Sequence, residues 1–230
     1  MQEVHGHCND QIPGEETSLK KNVLGMGAAM LQKFAPVNNI CEHVAGFHFY
    51  SGDIKRQIVA HHFCSVINED FRQCLIYDSN EKKAKLIGVE YIISEKLYKS
   101  LPDDEARYWH SHIYEVKSGM LSCPHIPLIA EKEVMKELIS TYGKTIHLWQ
   151  IDRGDKLPFG PPQLMMAFTE DSQVNWDLIK KRDEAYNTDS EERRADRADI
   201  PEPVKDLRAD GWRITGKAVQ FDVKEFSMSE

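Results

Sequence analysis

The chain has 230 residues, 41% of them hydrophobic and 29% charged, with 29 Lys and Arg against 37 Asp and Glu and a formal net charge of -8. That length and apolar share suit one large domain with a substantial core. The acidic balance excludes the clustered cations that non-specific nucleic-acid binding needs, and it supplies no polybasic membrane anchor. The five cysteines (Cys8, Cys41, Cys64, Cys74 and Cys123) are odd in number and form no CxxC pair. This argues against a disulfide scaffold and for a reducing compartment. The opening residues, Met1 to His7, show no basic stretch followed by an apolar run, so no signal peptide is expected. No window approaches the ~20 apolar residues of a membrane span, and a cytoplasmic location follows as the expectation.

Residues 1–16 are polar and read as a loose arm. Thr17 or Ser18 can cap a helix over 18–34, where Leu24, Ala28 and Leu31 fall at helical spacing and Pro36 follows. Gly25 and Gly27 are no phosphate loop, because no GK[ST] follows them. Residues 44–50 alternate as a strand, with Val44, Gly46, His48 and Tyr50 on one face. Gln57 to Cys64, holding His61 and His62, fits either a strand or a helical turn. Residues 71–77 and 86–93 read as strands, the second with one carboxylate, Glu90. A helix near 95–109 begins at the Ser94 cap and runs on past Pro102. Residues 112–121 are expected as a strand. A helix over 129–142 carries Val134, Leu138 and Tyr142 as its stripe, with Gly143 as its C-cap. Strands over 145–151 and 163–169 flank the Pro-rich loop 157–162.

From Asp177 the chain becomes dense in mixed charge, which reads as a solvated helix held by i,i+4 pairs or as a mobile tail. Trp212, Val219 and Phe221 are apolar enough to dock back. The expected architecture is α+β: a single domain over 17–176, a largely antiparallel sheet covered on one face by helices. A charged C-terminal extension, 177–230, docks on it.

The chemistry concentrates in histidines. In His110-Ser111-His112 an extended backbone would point both rings to one face, a common way for a strand to supply two metal ligands. Glu115 lies three residues beyond, one short of the cupin spacing. It joins His112 only if the chain there is helical. His62 and Glu90 are the expected completing ligands, giving a metal set of His62, Glu90, His110 and His112 for a divalent ion, with Zn, Fe, Mn and Cu not distinguished. Glu115 and His61 are the candidate catalytic groups, and His147 and Tyr114 candidate supports around the ion. His43, His48 and His125 are read as hydrogen-bonded structural residues, and His5 and His7 are assigned nothing. A nucleophile is a competing use of Cys64 or Ser111, but neither sits in a GxSxG elbow.

The order of several segments resembles the oil-body-associated protein family, long catalogued as a domain of unknown function. They are Asn39-Ile40-Cys41-Glu42-His43-Val44, Ala60-His61-His62-Phe63-Cys64, Leu86-Ile87-Gly88-Val89-Glu90-Tyr91, Trp109-His110-Ser111-His112 with Tyr114-Glu115-Val116-Lys117-Ser118-Gly119, and Tyr142-Gly143-Lys144-Thr145 through Gln163-Leu164-Met165-Met166. The resemblance spans about residues 38–170. It implies association with oil bodies and carries no catalytic mechanism over. Any droplet contact would be peripheral, because no oleosin-like apolar hairpin is present. Two functions are therefore expected. One is a metal-binding protein acting as a metal-dependent hydrolase or oxygenase on a small or hydrophobic substrate. The alternative is a non-catalytic lipid-droplet protein with structural histidines. No nucleic-acid partner is expected.

Overall fold

A computed structural model describes residues 12–228. Most of the expected 1–16 arm, with His5 and His7, lies outside the described residues. Helix α1 (Leu19–Leu31) starts where the Ser18 hydroxyl accepts the Lys21 N–H, and α2 (Ala35–Asn38) follows with Pro36 in its first turn. Then come β1 (Glu42–Tyr50), β2 (Asp53–Asn68), β3 (Phe71–Tyr77) and β4 (Leu86–Ser94). The short helices α3 (Glu95–Lys99) and α4 (Asp103–Ala106) lead to β5 (His110–Ser111) and α5 (Ile113–Lys117). Next are α6 (Leu128–Leu138), β6 (Thr141–His147) and β7 (Gln163–Met166), and finally α7 (Trp176–Tyr186), α8 (Ser190–Asp196) and α9 (Gly211–Thr215).

Each of β1 to β4 pairs antiparallel with the next. β4 then pairs with β6, β6 with β7, and β7 returns to β1 through Phe49 opposite Met166. Six strands thus close an antiparallel barrel, and β5 adds a short seventh strand where His110 lies opposite Gly143 of β6. The expected α+β arrangement, a sheet covered on one face by helices, is incorrect: the sheet closes on itself and the helices are mostly small. Glycine at the closing seam is part of the physical reason. Gly88 lies opposite His147, and a Cβ on it would sit 2.4 Å from the Ile146 carbonyl, so β4 and β6 approach closely only because that side chain is missing. A barrel also leaves no free sheet edge to cover.

Three local expectations are corrected. The ambiguous 57–64 segment is the middle of β2, a 16-residue strand. Residues 112–121 are not a strand. The Ser111 hydroxyl accepts the Ile113 N–H and the His112 N–H goes to the Thr141 carbonyl, so the chain leaves β5 into α5. Helix α6 ends at Leu138, and Tyr142 and Gly143 belong to β6 rather than to a helix stripe and cap. One disulfide also joins Cys64 to Cys74, which face each other across β2 and β3, where none was expected. Sequence spacing carries no sign of a pair that only strand register creates.

Inside the barrel Ile58, Ala60, Ile76, Ile87 and Met165 form one cluster. A second, of Val44, Val116, Leu121, Met135, Leu138 and Ile200, joins β1 to α5 and α6. The charged C-terminal segment is not a plain solvated face, because Arg182, Arg193 and Arg197 are buried. Arg182 donates to the carbonyls of Ala45 and Met120, and Arg197 to those of Val116 and Leu121. Both Arg193 and Arg197 also pair with the buried Glu131 of α6. By contrast α1 buries none of its residues.

Candidate metal centre

Strand alternation sends His62 and Cys64 inward and His61 and Phe63 outward along β2. On β1, β4 and β6 the same rule brings His48, Glu90, Thr145 and His147 to the interior, each at most 2% exposed. β5 adds His110 and, at its end, His112. The turn into α5 then carries Glu115 round to the same place, because residues three apart share a helix face. The structure thus brings His62, Glu90, His110, His112 and Glu115 together. It adds His48, which sequence reasoning took for a structural histidine.

The geometry centres on Glu90. Its Oε2 lies 2.9 Å from His62 Nε2, and its Oε1 lies 3.4 Å from His110 Nε2 and 3.5 Å from His112 Nε2. His110 Nε2 is also 4.0 Å from Glu115 Oε2. These atoms are close, yet His62 Nε2, Glu90 Oε1, both His110 nitrogens and Glu115 Oε2 make no properly aimed hydrogen bond. Orphaned buried polar atoms are costly and uncommon. Here His62 Nε2, Glu90 Oε1, His110 Nε2 and Glu115 Oε2 lie close together in the barrel interior without pairing.

Two ring tautomers follow from their outer partners. His62 Nδ1 lies 3.2 Å from the Val44 carbonyl, which can only accept, so that nitrogen carries the proton. The Thr141 hydroxyl donates to the Leu138 carbonyl at 2.7 Å, so it accepts from His112 Nδ1 at 2.8 Å. When these rings are neutral, both Nε2 atoms present lone pairs to the Glu90 carboxylate. Lone pairs facing an anion need a cation between them, and this outer bonding is the pattern of metal-ligating histidine. His48 Nδ1 meets His147 Nε2 at 3.4 Å, which leaves the Nε2 of His48 free.

Burial acts to push the Glu90 carboxyl up, but the facing His62, His110 and His112 rings hold it well below the ordinary carboxylate range. Burial, with the neighbouring Glu90 charge, pushes Glu115 well above that range. Burial also lowers His48 and His112, and lowers His147 to about 3. The lowered His48, His112 and His147 rings are neutral at neutral pH, and neutral imidazole is the form that binds metals. Two trios, His48 with His62 and Glu90, and Glu90 with His110 and His112, each keep their ligand atoms within 4.8 Å of one another. The adjoining cavity is about 20 Å³, walled by Val44, Ile92, Leu121 and Leu138 opposite the polar groups. That is room for a water-sized species and not for a hydrophobic substrate.

Other candidates lie elsewhere. His61 faces outward, with Nδ1 3.0 Å from His43 Nε2 and Nε2 3.0 Å from the Tyr186 hydroxyl. Burial lowers it to about 3. Tyr114 donates to Asp171 at 2.6 Å, outside the cluster. Of the expected supports, His147 touches the cluster through His48. Sequence reasoning missed Thr141 and Gly143 because their roles depend on strand pairing. For His48 a signal existed: it shares a face with Val44 and Gly46, the face that meets His62.

A family described as "Protein of unknown function (DUF1264)" matches residues 34–201. Oil body-associated protein 1B of Arabidopsis thaliana is 42% identical over 216 residues, 93% of this chain and 88% of that protein. Oil body-associated protein 2A of Zea mays is 43% identical, over 94% of this chain and 87% of its own length. Oil body-associated protein 1A of Zea mays is 41% identical, over 96% and 92%. No solved structure matches the chain.

Proposed function

Because the chain belongs to the oil body-associated protein family, we propose that it is a peripheral protein of lipid-droplet surfaces, held there through α1. The observation that carries this reading is the state of that helix. Leu19, Val23, Met26 and Met30 recur at helical spacing along one side, flanked by Leu24 and Leu31, and all six are between 53% and 87% exposed. No element of the barrel covers them. Residues 17–41 also hold Lys20, Lys21 and Lys33 and no Asp or Glu, so this segment is cationic on an acidic chain. The chain as a whole supplies no polybasic anchor, but this segment carries a local positive charge. A buried Leu, Val or Met side chain is worth roughly 1.5–3 kcal/mol, against about 1 kcal/mol per Lys at an anionic surface, so insertion dominates and salt weakens binding only in part. No helix among the described residues is long and apolar enough to cross a membrane.

The test is flotation with triacylglycerol droplets coated in phosphatidylcholine and phosphatidylserine. The full chain is expected in the floating fraction, and a V23D/M30D variant is expected to lose at least tenfold of that binding. Equal flotation of the two would sink the reading.

A second reading rests on the orphaned donors of the barrel interior: a divalent-metal centre using His62, Glu90, His110 and His112, with His48 beside them. A bound ion there would supply Lewis-acid chemistry to a water-sized ligand. In this reading Glu115 would hold a proton next to the ion, and His61, on the outer face of β2, would take no part. The donor set and the small adjoining cavity support binding; the relatives' names carry no reaction. Chelator-treated protein is expected to unfold at lower temperature than protein with added Zn²⁺ or Mn²⁺, by an amount equal to about 2.7 kcal/mol at a hundredfold excess over Kd. An unchanged unfolding temperature would refute it.

A further inference from the structure

We infer that this centre holds two divalent ions per chain, bridged by Glu90, rather than one. The inference rests on the metal reading above and sharpens it to a stoichiometry and a ligand assignment.

Nitrogen and oxygen donors bind at about 2.0–2.2 Å, so two atoms on one ion are at most about 4.4 Å apart. The donors here fall into two compact trios, and Glu90 is the member they have in common. Its two oxygens are divided between them. Oε2 addresses His62 at 2.9 Å, while Oε1 addresses His110 at 3.4 Å and His112 at 3.5 Å. A carboxylate with one oxygen in each of two sets of imidazoles is placed to bridge a pair of ions about 3.5–4 Å apart.

The assignment is then direct. The first ion takes His48, His62 and Glu90 Oε2; the second takes His110, His112 and Glu90 Oε1. Each is a two-histidine, one-carboxylate set, which leaves open positions. Glu115 Oε2, 4.0 Å from His110 Nε2 and without a partner, is the further oxygen on the side of the second ion. Outer partners fix a ring in each set: the Val44 carbonyl for His62, the His147 ring for His48, and the Thr141 hydroxyl for His112.

Backbone design agrees. Gly143 lies directly against the second set. A Cβ there would sit 2.0 Å from Glu90 Oε1, 2.7 Å from His110 Nε2 and 2.9 Å from His112 Nε2. A point within 3 Å of three donor atoms is space at the focus of a ligand set, and glycine keeps it clear.

The test is metal content and titration of the full chain, purified without a histidine tag, using Mn²⁺ and Zn²⁺ alone. Wild-type protein is expected to bind two ions, with the exchange-coupled Mn²⁺ electron-resonance signal of a neighbouring pair. His48→Ala and His110→Ala should each retain one ion and lose the coupled signal. One ion in the wild type would overturn the two-ion inference and leave the metal reading standing. No ion at any concentration up to 1,000-fold excess would overturn both. Two ions without magnetic coupling, insensitive to His48→Ala and His110→Ala, would place the ions elsewhere and refute the Glu90 bridge.

Discussion

At the scale of single residues, the site depends as much on a missing side chain as on those present. Gly143→Ala is expected to place its methyl among Glu90, His110 and His112, forcing those groups apart. The cost is overpacking of about 1–3 kcal/mol, together with at least a tenfold loss of metal affinity. Urea unfolding and Mn²⁺ titration of the variant check the two effects separately. Stability unchanged and affinity unchanged would mean the neighbouring groups yield freely. His110, His112 and Glu90 were legible as ligand types from the sequence, because ligand chemistry belongs to the side chain. Gly143 was not: in sequence it marks the end of a helix as readily as a cleared space, and only its register opposite His110 distinguishes the two.

At the scale of elements, the charged helices α7 and α8 act as a strap. Their arginines reach carbonyls of β1 and of the stretch from α5 to Ser122, and they share Glu131 of α6. Glu131 also accepts the Cys123 N–H at 2.7 Å. Glu131→Ala would leave two guanidinium groups buried without their anion, and breaking such a pair typically costs 3–5 kcal/mol. A urea midpoint lowered by that amount is the expected result, and a change under 1 kcal/mol would show that the backbone carbonyls satisfy the arginines unaided. Charge density alone pointed to a solvated face, since Arg and Glu runs are usually exposed. Burial here arises because long guanidinium side chains reach backbone oxygens with lone pairs to spare, those of Ala45, Val116, Met120 and Leu121. That match exists only between segments more than 60 residues apart in the chain.

At the scale of the whole molecule, the buried histidines tie stability to pH. His61 and His147 are held neutral by burial, each lowered from 6.5 to about 3. Below 6.5 the unfolded chain takes up protons that the folded one refuses, so stability is complete above about pH 6.5 and is lost as pH falls toward 3. Each ring contributes up to about 1.4 kcal/mol per pH unit. These two rings alone should cost metal-free protein about 3–4 kcal/mol between pH 6 and 4.5, to which the lowered His43, His48 and His112 add, and His61→Gln should remove about 2 kcal/mol of the total. A flat stability profile over this range would contradict the burial of these rings. The sequence by itself determined the strand-rich core segments, the membership of the family and which residue types are able to ligate a metal, because residue type and alternation are local properties. It also placed α1, through the Ser18 cap and the apolar spacing that follows. Tertiary structure alone decided that the sheet closes into a barrel and that His48 joins the site. It also decided that His61 turns away from its neighbour His62, and that Glu90 stands between two sets of rings. Those outcomes depend on which strands pair and in which register, and register is fixed by the packing of all six strands together, not by any one of them.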